Sequence, residues 1–193
     1  EAASPFDYII AHGFISWVTP RVREAFFCRL PSLLAPQGVA YVSYNTLPGW
    51  HVRMSIRTML SVHCGAVPEP AVKISRARAF LAALHSVHAT RAVASARAIA
   101  DEVAHLMKLP DWYLFHDVLE EENHPLLLSD VIESAAANGL QYLGDSLLPK
   151  MAPYDLPVEA QRYVRQQTGD PERIEQYLDF LRCEYFRRSL FCR

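Results

Sequence analysis

Phe6-Asp7-Tyr8-Ile9-Ile10-Ala11-His12-Gly13 and, further on, Ala35-Pro36-Gln37-Gly38-Val39-Ala40-Tyr41-Val42-Ser43-Tyr44 are the stretches on which the reading of this chain turns. The first reads as a strand running into a turn. Tyr8 to His12 sends apolar residues both ways, as a parallel strand covered on both faces does. Between the two stretches, Thr19-Pro20 announces a helix over about 21–34, with Thr19 as N-cap and proline in the first turn. Val22, Ala25, Phe26, Leu30 and Leu33 recur at helical spacing, and Pro31 is expected to interrupt the last turn. Pro36-Gln37-Gly38 signals a turn, and Val39 to Tyr44 reads as the second strand. A strand, a helix and a strand this close favour a right-handed parallel crossover. The whole is read as one half of an open α/β sheet. The chain begins with Glu1 directly before a strand and is read as a segment of a longer protein.

Composition narrows the class. Of 193 residues, 51% are hydrophobic and 21% charged, which is globular composition and not that of a disordered chain. A net charge of −2 gives no reason to expect nucleic acid or an anionic membrane surface as partner. No apolar run approaches the ~18 residues of a membrane span, and no signal peptide is seen. Cys28, Cys64, Cys183 and Cys192 are scattered, with no CxxC pair, and are read as reduced thiols of a cytoplasmic protein. Charge is uneven: residues 51–108 hold 8 basic and 3 acidic groups, residues 109–157 hold 1 basic and 9 acidic. Two solvated faces explain this, as does an acidic patch that recruits a basic protein substrate.

After Trp50 the period becomes helical. His51 to Cys64 carries Val52, Ile56, Met59, Leu60 and His63 on one side and stops at Gly65. Ala71 to about Leu84 shows Ile74, Ala77, Leu81 and Leu84; Ala96, Ile99, Val103 and Leu106 repeat the spacing up to Leu109-Pro110. These are read as an antiparallel pair whose apolar stripes pack as core. Pro125 to Asn138 is read as a further helix closed by Asn138-Gly139, and Leu140 to Gly144 as a short strand. Residues 149–157 read as a loop, Pro171 to Phe186 as a helix, and Arg188 to Cys192 as a final strand.

At this point the residues resemble a family. FDYIIAHGFISWVTP followed by LLAPQGVAYVSYNTLPGWH resembles the later half of the Rossmann-like S-adenosylmethionine-dependent methyltransferases. YLFHDVLEEENHPLLLSDVIESAAANGLQYLGDS and the ending DFLRCEYFRRSLFCR look like the methyltransferase regulatory domain that some bacterial methyltransferases carry. That family includes protein-lysine methyltransferases acting on outer-membrane proteins. The resemblance implies an α/β fold: the C-terminal half of a Rossmann-like methyltransferase sheet with a large helical insertion, mostly helical by residue count. Its parts are residues 1–50 as the second half of the core, 51–108 as the insertion, and 109–193 as the regulatory domain, for which a return of strands to the sheet is one expectation. In this fold the fifth strand is followed by a helix, a sixth strand and an antiparallel seventh; 125–138, 140–144 and 187–192 would supply them. The insertion would sit over the carboxyl ends of the strands, where such sheets bind ligands. The cofactor implied is S-adenosylmethionine, bound by the full-length parent. The acidic-glycine loop that holds its methionine and ribose is not in this sequence, so the segment alone is expected to be inactive.

Methyl transfer is an in-line displacement at a sulfonium methyl, and needs an aligned nucleophile with polar or aromatic groups around the moving charge. His12 and Gly13 end the first strand: Gly13 permits close approach and His12 a contact to cofactor or nucleophile. The other reading makes Gly13 a turn and His12 a backbone partner. Trp17 walls a pocket or anchors the core. At the end of the next strand, Asn45 and a carbonyl held by Pro48 suit an amine. Tyr44 and Trp50 suit a cation by cation–π attraction, and His51 a proton near neutral pH. The same stretch, read only as a rigid turn, caps the next helix. An Asn beside a proline is similar to the amine-positioning motif of amino-methyltransferases, which follows the fourth strand and not the fifth. The candidate residues are thus Tyr44, Asn45 and His51 as catalytic, His12, Gly13 and Trp17 toward the cofactor, and Pro48 and Trp50 toward the substrate. His116 and Glu120, at i and i+4, have a metal-ligand spacing, but a carboxylate run is a solvated face; no metal is expected.

The leading expectation is part of a methyltransferase acting on protein amines, lysine above all, or another amine acceptor. The alternative is a non-catalytic binding or regulatory module, with a homodimer through residues 66–108 as a third possibility.

Overall fold

The structure, a computed structural model, describes residues 4–167 and 169–193. It is a mixed α/β chain, 55% helical, with one four-stranded sheet among the described residues. The chain divides into two compact units, one running up to Gly49 and again from Glu122 on, the other Trp50–Glu121.

The first unit holds the sheet. Strand β1 is Phe6–Ala11, helix α1 Pro20–Leu33 and strand β2 Leu34–Asn45. Thr19 caps α1, its hydroxyl accepting from the Val22 N–H, and the helix runs through Pro31 to Leu33. β1 and β2 pair in parallel. The expected turn at Pro36–Gly38 lies inside β2 instead, as an irregularity that carries the pairing from Phe6↔Leu34 to Tyr8↔Val39. The chain passes close enough to β1 there that a Cβ on Gly38 would fall 2.7 Å from the Phe6 carbonyl oxygen. β1 is also not covered on both faces. Tyr8 and Ile10 are 77% and 74% exposed, because among the described residues only the face that carries Ile9 and Ala11 is covered.

After Gly49 the chain returns to this unit at Glu122. Helix α6 is Leu128–Ala136, shorter than expected: Leu126 bridges Thr46 in extended form, and the Leu126 N–H donates to the Asn45 carbonyl at 3.0 Å. Strand β3 is Gln141–Asp145, then a single 3-10 turn at Leu148–Met151, helix α7 Val158–Gln167 and helix α8 Pro171–Arg182. The expected loop thus holds a turn, and α7 escaped the sequence reading because its one buried residue is Val164. α8 stops earlier than Phe186: Cys183 adopts a left-handed conformation (φ 52°) and frees the chain for strand β4, Phe186–Cys192. The order is β1-β2-β4-β3, with β4 antiparallel to both neighbours. The stretch read as a strand at 140–144 therefore lies in the same sheet as 39–44, one strand removed.

One face of the sheet carries the core. Ala40, Val42 and Tyr44 of β2 stand opposite Phe191, Ser189 and Arg187 of β4 and pack with Phe27 and Leu30 of α1 and Leu128, Val131 and Ala135 of α6. Around Arg187, opposite Tyr44 near the carboxyl end of β2, lies a buried ionic cluster. Arg187 donates through Nε to both Asp179 oxygens (3.0 Å each) and through Nη1 to Glu175 (2.7 Å), and Asp145 lies 3.7 Å away. Tyr142 donates to Glu175 at 2.8 Å, and the Tyr44 and Ser189 hydroxyls are bonded at 3.0 Å. One guanidinium thus ties α8, β3 and β4 together. Burial works against its charge, but the hydrogen bonds and charge of Asp179 keep its pKa above the ordinary arginine value.

The second unit is helical. α2 is His51–Cys64, α3 Pro70–His88, α4 Ala94–Leu106, and α5, Asp111–Leu114, continues into a π-helical turn at Phe115–Leu119. Ile56, Leu60, Cys64, Ala77, Leu81, Val103 and Leu106 form its core, so the paired stripes pack on a third helix, α2. Arg57 donates to the Asp117 and Glu120 carbonyls (2.7 and 2.5 Å) and so closes the π turn. Arg78 holds the Leu109 carbonyl at 2.7 Å and the Asp111 carboxylate at 2.6 Å, fixing the entry to α5. All four cysteines are free. Among the described residues no helix is long and apolar enough to cross a membrane.

Two outcomes follow for the ionic cluster. Arg187→Ala leaves buried carboxylates without their cation and is expected to cost about 3–5 kcal/mol in urea unfolding, with Arg187→Lys recovering only a minor part because it lacks the planar fork. Burial pushes the Asp179 carboxyl up to about 6 although Arg187 opposes it. A carboxyl raised on folding stabilises the fold when protonated. That contribution is full below its unfolded value, near 4, and is lost as pH rises through about 6. Unfolding midpoints of the wild type measured against Asp179→Asn should therefore fall relative to the variant as pH rises from about 4 to about 6, and stay level above that.

Candidate functional site

Strand period decides what reaches the carboxyl end of the sheet in the first unit. Tyr41, Ser43 and Asn45 alternate with Ala40, Val42 and Tyr44, so the first three face away from the core of this unit. Opposite them on β4 stand Leu190, Arg188 and Phe186.

His12 lies just beyond β1, exposed, with its ring stacked on Tyr41 (6.0 Å between centroids) and edge-on to Phe186 (5.8 Å). Its Nδ1 is 3.0 Å from the Ser43 Oγ and 3.2 Å from the Tyr41 hydroxyl. Gly13 has φ +65°, a conformation that favours glycine. The conformation turns the Gly13 N–H onto the Ser43 Oγ at 2.8 Å. Ser43 therefore accepts from Gly13 and has its own hydrogen free for His12 Nδ1, which suits the tautomer with the proton on Nε2.

Ser16 does the same work one step along. Its hydroxyl accepts from the Asn45 N–H at 2.9 Å and its carbonyl from the His124 N–H at 2.8 Å. His124 Nε2 meets the Glu122 carboxylate at 2.5 Å. Asn45 is 4% exposed, and its Nδ2 is a buried donor with no hydrogen-bond partner among the described residues. Thr46 donates to the Leu126 carbonyl at 2.6 Å, the Leu47–Pro48 bond is cis, and the Gly49 N–H donates to the Glu184 carbonyl at 3.0 Å. Pro48 and Trp17 are half-buried.

The structure thus gathers His12, Gly13 and Asn45 at one end of the sheet. Tyr44 points the other way: its hydroxyl is buried against Ser189, and burial raises its pKa well above the ordinary tyrosine value. Trp50 and His51 belong to the second unit, where Trp50 is buried with the Arg53 guanidinium 4.9 Å over its ring and His51 is exposed at the start of α2. Glu120 follows the π turn in extended backbone and so does not share a helix face with His116. Among the described residues no group of three or more His, Cys, Asp or Glu side chains is placed to hold a metal ion. Ser43, Ser16 and Tyr41 escaped the sequence reading. The two-residue period of β2 finds Tyr41 and Ser43, since it groups 41, 43 and 45 and excludes 44; Ser16 lies outside the strand and has no such signal.

Residues 110–193 match the family model described as a predicted methyltransferase regulatory domain, which bears out the resemblance read from that stretch. The whole chain is 35% identical to RP789, an uncharacterized protein of Rickettsia prowazekii, of which it covers 34%, and 97% of the chain is 28% identical to sll1526 of Synechocystis, of which it covers 37%. Among solved structures it is similar to PKMT2 from Rickettsia typhi, at 34% identity and a TM-score of 0.86, covering 100% of this chain and 36% of that one. It is similar to the same extent to PKMT2 in complex with AdoHcy, over 97% of this chain. The chain spans about a third of the length of these proteins.

Ser43→Ala removes the acceptor of the Gly13 N–H and the partner of His12 Nδ1. It is expected to lower stability by about 1–3 kcal/mol in urea unfolding and to shift the imidazole nitrogen resonances of His12 toward a mixture of tautomers.

Proposed function

We propose that this chain is part of an S-adenosylmethionine-dependent methyltransferase that methylates protein amines, lysine above all. The observation that carries the reading is the likeness along the whole chain to PKMT2, a protein lysine methyltransferase by its name and one seen with AdoHcy. The topology supports it independently. Two parallel strands, a helix, a further parallel strand and an antiparallel strand inserted between form the order β1-β2-β4-β3, as the returning half of a Rossmann-like methyltransferase sheet requires.

In this reading the first unit supplies the acceptor side of the reaction. His12, Gly13 and Trp17 stand toward the cofactor, and Asn45 and Pro48 toward the amine. An amine attacks the sulfonium methyl through its lone pair, so its N–H groups need acceptors and its deprotonated form needs a polar, partly dry setting. The His12 ring accepts at Nδ1 from Ser43, so Nε2 carries the proton and serves as a donor toward the cofactor, leaving the acceptors for the amine to Asn45 and the carbonyl held by Pro48. Residues 51–108 are the helical insertion and 109–193 the regulatory domain, which returns strands to the sheet and recruits a basic substrate. S-adenosylmethionine, when bound by the parent, supplies the methyl group; the glycine-rich loop that would hold its amino acid end is not among these residues, so the segment is inactive alone. The setting is the bacterial cytoplasm.

Calorimetric titration of S-adenosylhomocysteine into the full-length parent and into this segment tests the reading. Micromolar binding by the parent and binding at least 100-fold weaker by the segment are expected. No binding by either means the fold is kept for recognition only, and the non-catalytic module takes its place.

A further inference from the structure

The segment that re-enters the first unit passes the carboxyl end of β2 with its backbone held on both sides. The His124 N–H donates to the Ser16 carbonyl at 2.8 Å, the Leu126 N–H to the Asn45 carbonyl at 3.0 Å, and the Leu47 N–H to the Leu126 carbonyl at 3.1 Å. Ser16 is tied in turn, its hydroxyl accepting from the Asn45 N–H at 2.9 Å. These bonds fix His124 at the end of the sheet where open α/β sheets bind their ligands. Asn123 is turned inward and buried, while the side chains on either side of it, Glu122 and His124, stay 45% and 37% exposed. They meet on that outward side, with His124 Nε2 at 2.5 Å from Glu122 Oε2. The pair is open to an incoming side chain.

A carboxylate only accepts, so the hydrogen in this bond belongs to the imidazole and sits on Nε2. Neutral His124 then carries its lone pair on Nδ1, away from Glu122. An imidazole held at one nitrogen by a carboxylate and open at the other is built as a general base: the carboxylate fixes the tautomer and stabilises the imidazolium that forms. His12 is held the opposite way, with Nδ1 accepting from Ser43 and Nε2 donating outward. The two rings are thus a donor and an acceptor, and of the two only His124 takes up a proton without giving up its bond to the chain. The acceptor needs this. At neutral pH all but roughly one lysine amine in 10³ is protonated, and an ammonium has no lone pair with which to attack. A pair this exposed adds little to stability, so its removal leaves the fold standing.

We infer that His124 is the general base of the methyl transfer and that Glu122 is its positioning residue. The inference rests on the methyltransferase reading above. His124 Nδ1 takes one proton from the acceptor's ammonium, which leaves a neutral amine and an imidazolium held by Glu122. The amine's lone pair then forms the bond to the sulfonium methyl carbon while the carbon–sulfur bond breaks, its electron pair staying on sulfur as a thioether. The product is a methylated ammonium, and the imidazolium returns its proton to water. A base in this position contributes about 10²–10⁴-fold to the rate.

The test uses the full-length protein with two acceptor probes, Nα-acetyl-lysine N-methylamide and its analogue ending in an aminooxy group, which is neutral at neutral pH and needs no base. His124→Gln is expected to lower kcat on the lysine probe about 100-fold or more with KM changed less than about threefold, and to lower kcat on the aminooxy probe less than about fivefold. Added imidazole is expected to raise the rate of His124→Gly on the lysine probe about 10-fold or more. Glu122→Gln is expected to lower kcat about 10-fold alone and to add nothing to His124→Gln, since it acts through the ring. A readout free of turnover goes with these: the imidazole nitrogen resonances of His124 place the proton on Nε2 in the wild type and show a mixture of tautomers in Glu122→Gln. Equal losses on both probes, no loss on the lysine probe, no rescue by imidazole, or a wild-type proton on Nδ1 overturns the inference. So does an S-adenosylhomocysteine titration about 10-fold weaker in His124→Gln, which puts the ring against the cofactor. A parent that binds S-adenosylhomocysteine but methylates neither probe also overturns the inference while leaving the cofactor reading standing; a parent that binds none fails at the earlier reading.

Discussion

Arg187 is the residue on which the first unit depends. It sits in the middle of the sheet, on the antiparallel strand between β2 and β3, and its guanidinium reaches α8 through Glu175 and Asp179 and β3 through Tyr142 and Asp145. A buried cation with three carboxylates around it is a poor source of net stability, because desolvation of each charge offsets most of the attraction. Its value is in register. If β4 slipped by one residue, Arg187 would leave the core face and Arg188 or Phe186 would take its place, with the carboxylates stranded. The pairings Tyr44↔Arg187 and Val42↔Ser189 are thereby fixed. So is the other face, where Phe186 must lie opposite Asn45 and edge-on to His12. The ionic cluster below the sheet and the polar group at its carboxyl end are set by a single strand position.

That dependence explains what the sequence makes legible. The parallel pair, its crossover helix and the helical stripes of the second unit are local or periodic signals, and they read correctly because each element's burial pattern is written in its own residues. β3 and β4 read correctly as strands for the same reason. What failed did so where a partner distant in sequence decides the outcome. Pro125–Leu127 looks like a helix start, but Leu126 is taken by Asn45 and Thr46. Pro36–Gly38 looks like a turn, but β1 pairs on either side of it. β1 looks doubly covered because Tyr8 and Ile10 are apolar, and among the described residues nothing lies over them.

The site was legible in part, and the failure is instructive. Asn45, His12 and Gly13 stand out in the sequence by their place at strand ends, and the structure places them at one end of the sheet. Tyr44 was chosen with them because it is aromatic and adjacent, yet adjacent residues on a strand face opposite ways. The correct neighbours of Asn45 are Ser43 and Tyr41. Arg187, Asp179 and Glu175 look in the sequence like any surface charges; only the fold makes them a cluster.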